Sequence, residues 1–395
     1  MNKDSIWQQI DARADLLWEI ASSIHARPEP AFEEKHAAAL LTDTLEAAGY
    51  HVRREIGQLE TAFRGDHPSN AGKQGPTIAL IAEYDALPNL GHACGHHLIA
   101  GAAVGAALGL VGAFHDISAK LVVLGTPGEE NGGGKIKLLR AGAFEDIDVA
   151  LMIHPGDETW SVREYLALLE FVVSYHGKAA HTVANAESGI NALDALLLLF
   201  QGMHAARVGF GRDIWISGIV EEGGTAPNTV PETAIGRFQI RSRGNDHAVE
   251  VLERFRAIAQ GCALATGADM ELRELGEMYK TLVPNKALAE VFEMYARQLG
   301  FPCEPSPTGV ASTDLGNVSW CLPVLHPHIN VLGQERAALH SRQFVEKSTR
   351  PEARLAMLAA AKCLAAIAID LGTEEELLTT VVREFSSRTD AAGPG

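Results

Sequence analysis

The chain lacks much of what marks several large classes of protein. Aromatic residues make up 6% of its 395 positions, so nothing suggests a large stacking pocket. Basic residues are in deficit, with 33 Lys and Arg against 50 Asp and Glu, giving a formal net charge of −17. Nucleic acid and anionic membrane surfaces are themselves polyanions, so that balance excludes both as partners. Small substrates escape the argument, because a local arginine can override the global field. Cysteines are few: Cys94, Cys262, Cys303, Cys321 and Cys363 are odd in number and show no framework spacing. The first residues lack a charged-then-apolar leader, and Asp4 to Ala26 reads as an amphipathic helix; together these point to a reducing, cytoplasmic setting. The uncharged stretch Leu98 to Phe114 is slightly short for a membrane span and rich in Gly and Ala, which predicts a closely packed buried helix. There is no internal repeat and no low-complexity linker.

What is present is concentrated in two short runs. Gly91-His92-Ala93-Cys94-Gly95-His96-His97 is followed about thirty residues later by Gly125-Thr126-Pro127-Gly128-Glu129-Glu130. A thiolate and an imidazole two residues apart on a glycine-bounded turn can both face one metal ion. The paired glutamates can supply a base and a further donor. Sulfur, imidazole and carboxylate together suit Zn²⁺, or Mn²⁺ or Co²⁺. The bland alternative is a buried cysteine beside a capping histidine, with a solvated acidic pair at a helix start.

The length predicts two domains. Helical patterns cover Ser5 to Ser23 and Glu33 to Ala48. Apolar runs at Thr77 to Ala82, Lys120 to Leu124 and Asp148 to Ile153 alternate with helices at Leu98 to Phe114 and Gly134 to Ala141. The expectation is an α/β domain with a central, mostly parallel sheet and helices on both faces. Asp85, Glu129-Glu130 and His154 each follow the carboxyl end of one of these strands, where open α/β sheets place their sites. From about residue 168 to 280 the order becomes β-α-β-β-α-β, which predicts an inserted ferredoxin-like α+β domain. The first domain then comprises residues 1–167 and 281–383, with a long closing helix from Lys347 to Leu371. Residues 384–395 read as a disordered tail.

Four motifs occur in a fixed order: Glu83-Tyr84-Asp85-Ala86-Leu87-Pro88, His92-Ala93-Cys94-Gly95-His96, Gly125 to Glu130, and His176-Gly177-Lys178-Ala179-Ala180-His181. In this order they resemble the dinuclear-metal amidohydrolases of the aminoacylase and carboxypeptidase family, zinc peptidases of clan MH. The similar branch holds auxin-conjugate hydrolases, p-aminobenzoyl-glutamate hydrolases and related dipeptidases. The resemblance covers nearly the whole chain and implies a phosphorylase/hydrolase-like zinc peptidase fold whose inserted domain is a lid and dimerisation domain. It further implies two divalent ions per subunit, Zn²⁺ ahead of Mn²⁺ or Co²⁺, bridged by Cys94 and completed by His96, Glu130, His154 and His340. Glu129 would be the general base, and Asp85 would orient His96 or a neighbour. His181 would reach the partner subunit's site in a homodimer and stabilise the oxyanion, and Asn228 would contact substrate. Arg241 can clamp a carboxylate, although with Arg237 and Arg243 on one strand it can equally be solvated. His97 replaces the Asp or Asn of the related branches and stands as a reserve donor. Glu83 stands where more distant members carry a ligating histidine, consistent with the cysteine-bridged variant.

The function expected is hydrolysis of an amide C–N bond in an N-acyl or N-aroyl amino acid or a small dipeptide. The alternatives are hydrolysis of another C–N bond, such as deamination of an aromatic amine, and a non-catalytic relative that only binds metal or ligand. Retention of a general base argues against the last.

Overall fold

The computed structural model describes residues 3–306 and 311–392. The chain divides into two compact units, one of residues 1–164, 282–310 and 314–395, the other of residues 165–281 and 311–313.

The first unit is built on a six-stranded sheet. Its middle strand, Thr77–Ala82, is buried at every residue, because both sheet faces are covered. That is why it reads as one unbroken apolar run. It pairs in parallel with Lys120–Gly125 on one side, from Thr77↔Lys120 to Ala82↔Gly125, and with Val149–Leu151 on the other. Val324–Leu325 extends the parallel part. The remaining edge is antiparallel: Phe63–Asp66 pairs with Lys120–Gly125, and His51–Arg54 pairs with Phe63–Asp66. These two outer strands are four residues each, and His51–Arg54 is largely exposed and polar, so neither shows in the apolar pattern.

The helix His96–Leu110 is buried at all of its residues. Gly101, Gly105 and Gly109 recur every fourth position along it, and Met357, Leu17 and Ile10 occupy the space their side chains would take. Helices therefore pack closely against it on more than one side, and this explains the charge-free sequence without a bilayer. Among the described residues one helix, Pro351–Thr373, is long and apolar enough to cross a membrane, and most of it is buried in the core.

Several boundaries differ from the sequence reading. The N-terminal helix is two helices, Lys3–Asp11 and Ala14–Ala26. The closing helix runs Pro351–Thr373, starting four residues later than read, and a separate short helix, Arg342–Lys347, precedes it. Pro351 cannot continue a helix from its N-terminal side but suits a first turn, so it restarts the chain there. The disordered tail from residue 384 is a correction: a helix runs Glu375–Ala392, and residues 393–395 lie outside the described part. Val381 is fully buried in the core, and Glu384 accepts from the Lys286 and Ala287 backbone N–H groups at 3.0 and 3.1 Å. The helix that runs into the tail is thus anchored in the core at Val381, and Glu384 caps the helix Lys286–Gln298.

The second unit is a four-stranded antiparallel sheet in the order Asp269–Glu274, Ala167–His176, Thr233–Ser242, Ile214–Glu222. Helices Ala192–Ala206 and Asn245–Thr266 bury their apolar stripes in its single core. This is the ferredoxin-like order. Among the described residues Ile214–Glu222 has a neighbouring strand on one side only, and it exposes Trp215, Ile219 and Val220.

Candidate metal centre

Three neighbouring parallel strands deliver the site, each releasing a loop from its carboxyl end. Beyond Thr77–Ala82 come Glu83 and Asp85; beyond Lys120–Gly125 come Glu129 and Glu130; beyond Val149–Leu151 comes His154. The Cys94–His96 segment enters where the glycine-rich helix begins. Gly95 there has φ +82°, and a Cβ on it would stand 2.6 Å from the Pro155 ring. Only glycine both turns the chain at this point and lets the His154-Pro155 strand approach.

The donor atoms form three overlapping groups, each with its members within 4.8 Å of one another: Cys94, His96 and His154; Cys94, Glu130 and His340; His96, Glu129 and Glu130. Cys94 Sγ lies 3.5 Å from His154 Nε2, and His340 Nε2 lies 3.4 Å from Glu130 Oε2. Ligand atoms at about 2.0–2.3 Å from a tetrahedral ion stand roughly 3.3–3.8 Å apart, and both separations fall in that range. His340 is brought in by an unusual backbone, with φ +62° and its N–H bonded to the Ala93 carbonyl at 2.9 Å.

Hydrogen bonds fix which ring nitrogens are available. His96 Nδ1 faces two acceptors, the Asp85 carboxylate at 2.8 Å and the Asp85 carbonyl at 3.1 Å, so Nδ1 carries the proton. Nε2 is left buried with no hydrogen-bond partner. His154 Nδ1 likewise donates to the Pro155 carbonyl at 2.7 Å, leaving Nε2 toward Cys94. The second oxygen of Asp85 accepts from the Glu130 N–H at 2.9 Å, so one buried carboxylate holds both a histidine and the glutamate loop. His97 does not join the cluster. Its Nε2 is 3.3 Å from the Ser348 carbonyl and its ring packs against His25 and His92.

The electrostatics call for a cation. Burial, with Glu83 and Glu130 alongside, pushes the Glu129 carboxyl far above its usual pKa. Burial also raises Glu130 to about 7, in spite of His96. The Cys94 thiol is raised by burial and by Glu130. The His96 pKa is raised too: burial opposes its charge, but Asp85 and Cys94 outweigh burial and draw a positive charge onto the ring. A divalent ion at Nε2 would satisfy that demand and return the acids to their ionised forms. A mixed S, N and O donor set, buried orphan atoms and ligand-edge spacings all fit one or more divalent metals.

The other expected residues lie on the second unit and are described within it. His181 Nδ1 accepts from the Val183 and Ala184 N–H groups, both at 3.2 Å, which leaves the proton on Nε2. Its neighbour Thr182 donates to the Asn228 carbonyl at 3.1 Å, so His181 and Asn228 sit on adjoining loops, both exposed. Arg241 is half-buried, and its Nη1 donates to Ser312 Oγ at 3.3 Å.

Comparison with known proteins decides the family. The profile described as peptidase family M20/M25/M40 matches residues 79–362, most of the chain. The Xaa-Arg dipeptidase of Mus musculus is 37% identical, over 96% of this chain and 91% of its own. The chain belongs to this peptidase family. One component of the Escherichia coli (strain K12) p-aminobenzoyl-glutamate hydrolase is 28% identical over 96% of this chain and 94% of its own. The fold agrees with a Bacillus subtilis structure described as a dinuclear metal binding peptidase from the M20 family, at TM-score 0.68 and 20% identity, covering 91% of this chain and 99% of that one. The protein is a metal-dependent hydrolase acting on C–N bonds.

Sequence reasoning missed part of the surroundings. Lys135 is fully buried and paired with Glu83 and Asp314 beside the cluster. His328 stacks on His154 at 4.7 Å and Trp160 packs on His328 at 5.5 Å. No periodicity marks these residues. The family resemblance marked the segments holding Asp314 and His328 only as a substrate-pocket wall, and Glu83 as the place of a ligating histidine in distant members.

Proposed function

We propose that this family member hydrolyses the amide bond of a small dipeptide or an N-acyl or N-aroyl amino acid at a dinuclear metal site. The convergence of Cys94, His96, Glu130, His154 and His340 around Glu129 carries the reading. Cys94 is the shared donor, the one residue that appears with both the His96–His154 and the Glu130–His340 groups. A bound pair of divalent ions, Zn²⁺ first and Mn²⁺ or Co²⁺ next, would polarise the amide carbonyl and acidify a water.

The chain's own groups do the rest. Asp85 holds His96 in the Nδ1–H tautomer and fixes the Glu130 loop. Glu129 takes the proton of the attacking water and delivers it to the departing nitrogen; its buried carboxyl is poised for proton transfer once cations offset the neighbouring acids. His181, with its proton on Nε2, is the donor for the tetrahedral oxyanion, supplied by the second copy in a homodimer. Asn228 and Arg241 contact the substrate, Arg241 through its carboxylate. The exposed edge strand Ile214–Glu222 is the surface on which the two copies pair. All five cysteines are free, in keeping with the cytoplasm.

The test is a mass-spectrometric screen of pooled dipeptides, N-acyl and N-aroyl amino acids and aromatic amines, with Zn²⁺, Mn²⁺ or Co²⁺ added. Dipeptides with a C-terminal arginine and p-aminobenzoyl-glutamate go first, after the two relatives. Glu129→Gln is the control, expected to keep its metal and lose at least about a hundredfold in kcat. Amide cleavage by wild type alone supports the reading. Loss of an aryl amino group, turnover by Glu129→Gln near the wild-type rate, or bound metal with no turnover on any class would overturn it.

A further inference from the structure

Beside His96 the first unit buries a charged group that the proposed hydrolysis does not use. Glu83 is fully buried, with Oε1 paired to Lys135 Nζ. Lys135, also fully buried, is gripped twice by Asp314: Nζ donates to Oδ1 at 2.8 Å and the backbone N–H to Oδ2 at 2.9 Å. Three elements meet in this triad: the end of strand Thr77–Ala82, the first turn of helix Gly134–Arg140, and Asp314 just before helix Leu315–Ser319.

Such a triad is a poor device for stability alone. Removing charges from water costs several kcal/mol per ion, and apolar replacements of buried ion pairs are often as stable or more so. Its geometry points elsewhere. The other oxygen of Glu83, Oε2, lies 3.5 Å from His96 Nε2. Glu129 Oε2 is farther from the same nitrogen, at 3.9 Å. Nε2 is the nitrogen that Asp85 leaves available, and it has no hydrogen-bond partner. The Glu83–His96 separation equals that between Cys94 Sγ and His154 Nε2, 3.5 Å, which suits two donors to one ion.

We propose that Glu83 is an additional donor to the metal pair on its His96 side, and that Lys135, clamped by Asp314, holds that carboxylate in place and leaves it one free oxygen. The inference rests on the dinuclear reading above. Lys135 and Asp314 are positioning residues, since neither touches the reacting atoms. With Oε1 committed to Lys135, Glu83 binds through Oε2 alone, as a donor that can be released without rebuilding the site.

The test is titration of chelator-treated protein with Co²⁺, following its visible d–d absorption and the bound cobalt per chain. Wild type should take up two ions. Glu83→Gln, nearly the same shape, should bind one ion at least about tenfold more weakly, with a changed cobalt spectrum and the other ion unaffected. Lys135→Met should change the same band. If Glu83→Gln fails to fold, the double variant Glu83→Gln/Lys135→Met, which leaves no lone buried lysine, is read the same way. Wild-type affinity and spectrum in the Glu83 variant, even with a lowered Tm, would show a merely structural ion pair and overturn the proposal. If wild type itself bound no cobalt, the dinuclear reading would fall first.

Discussion

Replacing Asp85 by asparagine changes one oxygen to an amino group in a side chain that makes two bonds to the metal cluster. The carboxylate accepts from His96 Nδ1–H through Oδ1 and from the Glu130 N–H through Oδ2. Asparagine has one acceptor, so one of these donors must face an NH₂ group. A charge-assisted bond is worth about 1.5–3 kcal/mol. Losing one while misdirecting a histidine should weaken metal binding by about 10–100-fold, the scale found when the partners of metal-bound histidines are removed. The size of the effect should not vary from pH 6 to 9. Burial alone would raise the Asp85 carboxyl, but the His96 charge and hydrogen bond outweigh burial and hold it below the usual carboxylate range. It is therefore ionised throughout that window. The assay is competition with a chelator of known affinity at pH 6, 7.5 and 9, on wild type and Asp85→Asn. Affinity within twofold of wild type would refute the argument. A deficit that disappeared at low pH would refute the ionised state.

Three further perturbations probe other parts of the molecule. A Cβ on Gly134 would stand 1.7 Å from the Pro127 carbonyl oxygen, a backbone atom in the loop that carries Glu129 and Glu130. Gly134→Ala should cost about 1–3 kcal/mol of stability and lower kcat through loop displacement; unchanged Tm and turnover would contradict this. Ile219→Asp, on the exposed edge strand, should convert a homodimer to monomers in light scattering, and a persistent dimer would place the interface elsewhere. His67 is buried, and burial together with Lys73 and His115 lowers its pKa to about 4. An unfolded histidine takes its proton near pH 6.5, as a rough reference. The unfolded chain therefore binds the proton first, and stability is lost as pH falls from about 6.5 toward 4. The Tm gap between wild type and His67→Gln should thus be wider at pH 8 than at pH 5, and an equal gap would remove His67 from the acid limb.

Much of the architecture was legible because it is local. Thr77–Ala82 is continuously apolar because both its faces are covered, and the β-α-β-β-α-β order of the second unit follows from alternating periodicities of two and 3.6. Cys94, His96, Glu129, Glu130 and His154 were legible as candidates for the same reason, since each follows a strand end or a glycine-marked turn in the sequence; His340 was named only through the family resemblance. The outer strands His51–Arg54 and Phe63–Asp66 were not, being too short and one too polar to signal burial. The final helix was misread because its core contacts come from elsewhere in the chain: the helix carrying Glu384 caps a helix nearly a hundred residues earlier. The same holds for the site. Residue types suggested a metal, but only the tertiary structure set His96 Nε2 free by turning Nδ1 to Asp85, and sent His97 to the Ser348 carbonyl. Only it joined Lys135 to Asp314, 179 residues away, and to Glu83. Periodicity records which side of an element is buried. It carries no record of which charges meet there, because that depends on distances of a few ångströms between segments remote in the chain.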